Sequence, residues 1–310
     1  MVIRARLASA LVCLLPVLSR ANEVVDAASP DASDGAISRR LQGTEFICPG
    51  LTRTDGAYNM NFAGRNLRDA DWPDIAACAR EASRRGPVRL ILRNQRFDSV
   101  PPNTFRGSNK IRELDLTSSN IRIITPGSFN GLDNCVLLNL TANKIARVRG
   151  GSFKGMPKLR VLSLGNRRLT AVDSGAFNRL VRLRTLDLSG SGLTVIKRGV
   201  FKGTPDLREL NLSECAVDDI WARAFSTLGQ LRSLDLRRNN LGVESITAAT
   251  FAGLVNLETL DISRNKGIQF ACTAFRPLGE LTEILVAGTG LKCRRLTACG
   301  DYSPAANCVQ

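Results

Sequence analysis

Phenylalanine recurs along this chain with a fixed step. Phe105, Phe129, Phe153, Phe177, Phe201 and Phe225 stand 24 residues apart, Phe251 follows after 26 and Phe275 after another 24. A period of this length means a stack of small units and not one closed globule, because each unit is too short to bury its own apolar face. The composition agrees. Of the 310 residues 44% are hydrophobic and only 5% aromatic, as a core built from one repeated aliphatic pattern requires.

Each repeat carries the same frame: Leu114-Asp115-Leu116, Leu138-Asn139-Leu140, Leu162-Ser163-Leu164, Leu186-Asp187-Leu188, Leu210-Asn211-Leu212, Leu234-Asp235-Leu236 and Leu260-Asp261-Ile262. Alternate residues of a strand point to one side, so both aliphatics enter the core and the middle residue faces out. Eight full coils are expected, and Ile284-Leu285-Val286 starts a ninth without its Phe. Parallel strands about 4.8 Å apart would give nine of them a concave surface on the order of 40 Å long.

This frame resembles the "typical" 24-residue leucine-rich repeats of Toll-like receptor ectodomains, small proteoglycans and lamprey variable lymphocyte receptors. Their L-x-x-L-x-L-x-x-N-x-L stands here as Cys135-Val136-Leu137-Leu138-Asn139-Leu140-Thr141-Ala142-Asn143-Lys144-Ile145, followed by Phe153. The resemblance covers residues 46 to 300 and implies an α/β repeat solenoid. That is a leucine-rich-repeat horseshoe with a parallel concave β-sheet and short irregular or 3-10 convex segments. The turn Asn survives as Asn143, Asn239 and Asn265, while Gln95, Ser119, Arg167, Ser191, Cys215 and Thr289 stand in the other coils. A long charged residue does not belong inside that turn, so Asn166 is expected to replace Arg167 through a local shift.

The resemblance also frames the caps. Cys48-Pro49, a strand alternating Tyr58, Met60 and Phe62, then Gly64 to Leu67 and Trp72-Pro73 look like the family's cysteine-bearing N-terminal flank, with a helix from Asp74 to Arg85 stopped by Gly86. The family flank carries four cysteines and this one only Cys48 and Cys78, so a single bridge between them is the simplest pairing. Phe62 stands where the family places another cysteine. Cys293 matches the first cysteine of the family's C-terminal cap, but Arg295 replaces the next. Cys272, Cys293, Cys299 and Cys308 are candidates for two bridges of open connectivity. Cys135 replaces a core Leu and Cys215 the turn Asn, which makes both buried free thiols.

Five segments result. Residues 1–21 are expected to be a secretory signal, with Arg4 and Arg6 before the apolar stretch Leu7 to Leu18 and Ser19-Arg20-Ala21 at the cleavage point. About twelve apolar residues are too few to cross a hydrocarbon core of about 30 Å. Residues 22–43, rich in Ala, Ser and Asp, are expected to be a disordered leader. Within it Arg39-Arg40 is a candidate processing site, and Arg39-Arg40-Leu41 resembles the Arg-x-Leu translocation motif of oomycete effectors without its acidic follow-up. Residues 44–86 form the N-terminal cap, 87–280 the repeats, and 281–310 a partial ninth coil with a short cap. No transmembrane segment is expected, and the polar end Asp301 to Gln310 argues against a lipid-anchor signal. The expected product is secreted and extracellular.

Chemistry is constrained by the absence of His. A Ser or Cys nucleophile lacks its commonest base and zinc its commonest nitrogen ligand, and no phosphate loop stands in the sequence. No catalytic residue, metal or cofactor is therefore assigned; only a carboxylate pair is left open. The functional signal lies in charge. Removing Arg4, Arg6 and Arg20 lowers the net charge only from +15 to +12. One basic line comprises Arg112, Arg160, Arg184, Arg208 and Arg232; the opposite edge has Arg96, Lys144 and Arg168, with Arg93, Arg122, Arg147 and Arg149 nearby. Between them the middle residues, Asp115, Asn139, Ser163, Asp187, Asn211, Asp235 and Asp261, should line a shallow polar trough. Candidate ligand contacts are Arg93, Arg96, Asp115, Arg122, Lys144, Arg147, Arg168, Asp187, Asp235, Arg237, Arg238 and Glu244, the last in the coil lengthened by two residues. Trp221 is a candidate anchor one coil earlier.

Such a field favours an extracellular protein or acidic polysaccharide as partner, bound through the concave face and basic edges without catalysis. Secretion and the lack of interleaved aromatics disfavour nucleic acid. A structural matrix component and a pathogen effector are the alternatives. Asn139-Leu140-Thr141 and Asn211-Leu212-Ser213 are glycosylation sequons inside the trough.

Overall fold

The computed structural model describes residues 38–41, 44–243, 245–247, 249–269, 272–291 and 307–309. Their backbone forms a twelve-stranded sheet, with a parallel run of strands at Ala57–Asn61, Val88–Ile91, Ile111–Asp115, Leu137–Asn139, Val161–Ser163, Thr185–Asp187, Glu209–Asn211, Ser233–Asp235, Thr259–Asp261, Glu283–Leu285 and Asn307–Val309. Equivalent frame positions pair: Leu138 with Leu162, Leu186 with Leu210, and Leu234 with Leu260 across the longer coil. Strand and turn are short because the two core Leu of each frame are the part that must be held in register, and one inter-coil bond per residue suffices.

The rings that set the period form the spine behind this sheet. Phe129, Phe153, Phe177, Phe201 and Phe225 stack in sequence with centroids 5.9–6.5 Å apart, all essentially fully buried. Burial of each contributes roughly 2–3 kcal/mol. Among the described residues no ring contact joins Phe225 to Phe251, where the two extra residues fall; Phe251 and Phe275 then stack again at 5.9 Å. The insertion is held outside the core by Ser245, whose hydroxyl donates to the Asp218 carbonyl at 2.7 Å while accepting from the Gly242 N–H at 2.9 Å. Val243 is exposed there and Ile246 returns to the core.

The turn after each concave strand uses a left-handed residue: Asn94, Ser118, Ala142, Gly190, Glu214, Arg238, Arg264 and Gly288 all have φ between 53° and 71°. The coil of Arg167 is the exception. There Asn166 is buried, its Nδ2 donating to the Leu164 carbonyl at 3.1 Å and its Oδ1 accepting from the Arg168 N–H, while Arg167 points to solvent. The expected shift is what the chain does. On the convex side the segments are irregular, with two-residue parallel strands such as Arg147–Val148 against Ala171–Val172 and a 3-10 turn at Cys272–Phe275.

At the N-terminal end Leu51–Thr54 and Ala57–Asn61 form an antiparallel hairpin whose second strand joins Val88–Ile91 in parallel. The helix Trp72–Arg85 covers the first coil, starting two residues before the expected Asp74, with Pro73 in its first turn and Gly86 at its end. Cys48 and Cys78 are bridged. Phe62, in the place of a family cysteine, is fully buried, and Trp72 stacks on Phe97 at 4.2 Å while its indole N–H donates to the Ser99 carbonyl. Phe62 and Trp72 are thus part of the cap's apolar core.

Two segments depart from expectation. Ser38–Leu41, assigned to the disordered leader, is a strand antiparallel to Thr44–Ile47, with Ser38 opposite Ile47 and Leu41 opposite Thr44. Asn307–Val309 adds a further parallel strand to Glu283–Leu285, so the C-terminal cap extends the sheet instead of only covering it. Cys308 is disulfide-bonded. Cys293, Cys299 and Glu244, like the expected signal at 1–21, lie outside the described residues, as does the side chain of Cys272.

Candidate ligand-binding surface

The middle residue of each L-x-L frame does something the alternation alone did not reveal. Asp115, Asn139, Asp187, Asn211, Asp235 and Asp261 each use Oδ1 to accept the backbone N–H two residues on, at Thr117, Thr141, Ser189, Ser213, Arg237 and Ser263, at 2.8–3.0 Å. These are Asx turns that bend each strand into its left-handed corner. Asp115, Asn139, Asp187 and Asp261 are each at most 7% exposed, so the column expected to be an open polar trough is largely closed over by its own turns. Asp115 is further occupied by the Arg93 guanidinium and by the Thr117 hydroxyl at 2.6 Å. The signal was present in the sequence, since Asp or Asn is followed two positions later by Ser or Thr in five of these six coils.

Burial pushes the Asp235 carboxyl up to about 6, with the neighbouring Asp261 and Asp187 adding to the rise; Arg237, whose Nε lies 3.3 Å away, opposes it. Burial also raises Glu209, which accepts from the Thr185 hydroxyl at 3.2 Å. The thiols of Cys135 and Cys215 are buried, free and pushed up to about 12, chiefly by desolvation. Cys215 donates to the Leu188 carbonyl of the preceding coil at 3.1 Å, the bond that Ser119 and Asn239 make to Leu92 and Leu212 from the same turn position.

Several expected ligand cations are neutralised. Arg122 pairs with Asp98, Arg147 with Asp173 and Arg238 with Glu214, at 3.4, 2.8 and 3.0 Å. Arg96, Lys144 and Arg168 make no ion pair among the described residues. The same is true of Arg160, Arg184 and Arg208, which sequence reading noted as a basic line without choosing them as contacts. Their backbones run as a ladder, Arg184 N–H to the Arg160 carbonyl and Arg208 N–H to the Arg184 carbonyl, each 2.8 Å, so three exposed guanidinium side chains start from neighbouring strands in one register. Arg232 continues the row but binds Glu258 at 2.9 Å.

A stacked parallel sheet with a polar, cation-flanked concave side defines a leucine-rich-repeat solenoid, a fold that is typically non-catalytic. The leucine rich repeat family matches residues 88–145, 136–193 and 181–241, and the repeats of this chain are leucine-rich repeats. Among solved structures, one titled as the crystal structure of a TLR13–ssRNA13 complex is similar with a TM-score of 0.59 and 21% identity, over 74% of this chain and 35% of that one. The likeness is one of fold. This chain spans about a third of that protein's length. No curated protein matches the sequence. No helix among the described residues is long and apolar enough to cross a membrane.

Proposed function

We propose that this is a secreted, non-catalytic recognition protein whose ligand is an acidic polysaccharide docked along the concave rim. The observation that carries this is the row Arg160, Arg184 and Arg208, three side chains of like charge on consecutive coils with no acid opposite among the described residues. Like charges held at strand spacing repel one another, and their stability cost is offset when a ligand supplies one anion per step. A polymer with an acid on every sugar repeats on that scale. Arg96, Lys144 and Arg168 supply cations on the other edge, while the Asx turns occupy the trough acids with backbone N–H groups and so direct the ligand to the rims.

The test is retention of the mature protein on immobilised polygalacturonate and heparin. Binding should saturate and vanish near about 1 M salt, where the Debye length falls to about 3 Å. Replacing Arg160, Arg184 and Arg208 together by Thr, the residue Thr282 supplies at this position of a later coil, should weaken it at least tenfold. Retention unchanged by the triple substitution, or absent at low salt, sinks the reading. Displacement by single-stranded RNA but not by polyuronate would move the ligand to nucleic acid.

A further inference from the structure

The convex ladder is interrupted in the middle of the array. Arg147–Val148 pairs with Ala171–Val172, and Val195–Ile196 with Asp219–Ile220, but among the described residues no backbone bond joins Ala171–Val172 to Val195–Ile196. The two coils meet again on both sides of the break. A Cβ on Gly192 would lie 2.8 Å from the Arg167 carbonyl oxygen, and the Gly175 N–H donates to the Gly199 carbonyl at 3.2 Å. The ring stack spreads slightly at the same place: the Phe177 and Phe201 rings are 6.5 Å apart, the widest of the four steps from Phe129 to Phe225.

Between these coils opens a cavity of about 510 Å³. Its floor is core, including Ile196 and Phe201, and its rim carries the hydroxyls of Thr170 and Thr194. Trp221, 48% exposed, forms one wall, with the Lys197 ammonium 5.8 Å from its ring centroid. Beside it Arg198 reaches only the Ala222 carbonyl, at 3.4 Å, and neither Lys197 nor Arg198 faces an acid among the described residues. The acid on the rim, Asp173, is held by Arg147. A similar break lies between Ile123–Ile124 and Arg147–Val148, but there the counterpart of Trp221 is Asp173. The combination of open break, indole and unpaired cations is therefore peculiar to this place.

We propose that this cavity is a subsite for one anionic sugar of an acidic polysaccharide. The apolar face of the sugar ring packs on the Trp221 indole, its hydroxyls bond the threonine side chains and the backbone groups left unpaired by the break, and its acid group meets Lys197 and Arg198. An apolar ligand would leave those cations and hydroxyls without partners. The choice of ligand class rests on the function proposed above, but the site itself does not involve the concave arginines.

Trp221 is a reporter as well as a wall, since the other tryptophan, Trp72, is buried against Phe97. Short oligogalacturonate added to the full chain should change tryptophan emission saturably, and the carboxyl-reduced neutral oligosaccharide should not. By calorimetry, Trp221→Thr and the pair Lys197→Thr with Arg198→Ala should each weaken oligogalacturonate binding at least tenfold. These replacements are residues that Thr125 and Ala222 already supply at the same places in other coils, so the variants keep the fold. Replacing Arg160, Arg184 and Arg208 should leave the emission change intact. No emission change, with retention on the polymer preserved, overturns the subsite and spares the rim. An equal response to the neutral sugar, or a response to polyglutamate alone, overturns it as well. A saturable emission change without any retention on polymer would keep the subsite and discard the rim.

Discussion

Asn239 donates from Nδ2 both to the Leu212 carbonyl one coil earlier, at 2.8 Å, and to the Leu236 carbonyl of its own coil, at 2.9 Å. Its Oδ1 accepts from the N–H of Cys215 and of Val217. Four buried backbone groups thus depend on one amide. Asn239→Ala orphans them, and at about 1–3 kcal/mol for each group left bare and not rehydrated, a loss on the order of 3 kcal/mol is expected in urea unfolding. Arg167→Ala, at the equivalent position of another coil, should change stability by less than about 0.5 kcal/mol because Arg167 is exposed. Equal losses in the two variants would show that the turn position is not what couples the coils.

Cys135 and Cys215 sit in the core with thiols raised to about 12, so neither supplies thiolate at neutral pH. Iodoacetamide applied to the native protein at pH 8 should leave both unmodified, and labelling should appear only with denaturant, as mapped by mass spectrometry. Cys215→Ser should be nearly neutral, since Ser119, at the equivalent position four coils earlier, makes the same side-chain bond to a Leu carbonyl of the preceding coil, Leu92, at 2.6 Å. Rapid labelling of either thiol in the folded state contradicts their burial.

The coils were legible in the sequence because one physical requirement, two aliphatic residues and one Phe inward per coil, recurs eight times with a single two-residue slip before Phe251. Even the exception at Arg167 could be read, since a guanidinium does not fit an interior turn and Asn166 stands beside it. Other features depend on what the backbone does next. The middle residue of Leu-Asp-Leu faces outward by alternation, yet its carboxylate curls back to the N–H two residues on, so facing out did not mean being free. Pairing of Arg93 with Asp115 and of Arg238 with Glu214 joins residues 22 and 24 apart, which only the stacking register brings together. The strand Asn307–Val309 has no L-x-L frame to announce it.

The two sequons differ in what a glycan would have to displace. Asn139 is 7% exposed, with its side chain turned onto the Thr141 N–H, whereas Asn211 is half-buried in the same arrangement with Ser213. An N-glycan replaces an amide hydrogen on Nδ2 with a bulky sugar, so it is tolerated only where that atom can reach solvent. Glycopeptide mass spectrometry of the protein secreted from eukaryotic cells should find Asn211 occupied well above Asn139. A predominance of glycan on Asn139 would mean that the concave corner opens further than its turn geometry shows.

Asp235 yields the pH dependence. Its folded value of about 6 lies above the ordinary 3.8, so between these values the native chain binds more protons than the unfolded one. By linkage, stability falls as pH rises through that window: the favourable contribution is complete below about pH 4 and gone above about pH 6, a cost on the order of 1–3 kcal/mol at neutral pH. Asp235→Asn removes the charge but keeps the acceptor for the Arg237 N–H, as Asn139 and Asn211 do for Thr141 and Ser213 in their own coils. Arg237 loses its carboxylate; its Nε, the atom facing Asp235, is buried and makes no hydrogen bond among the described residues in the parent either, while the rest of a side chain about one-third exposed keeps its charge hydrated. The variant should therefore be more stable than the parent at pH 7.5, by a rise in Tm of a few degrees, and indistinguishable from it near pH 4. A variant less stable at both pH values would show that the ion pair with Arg237 outweighs the cost of burying the carboxylate among its acidic neighbours.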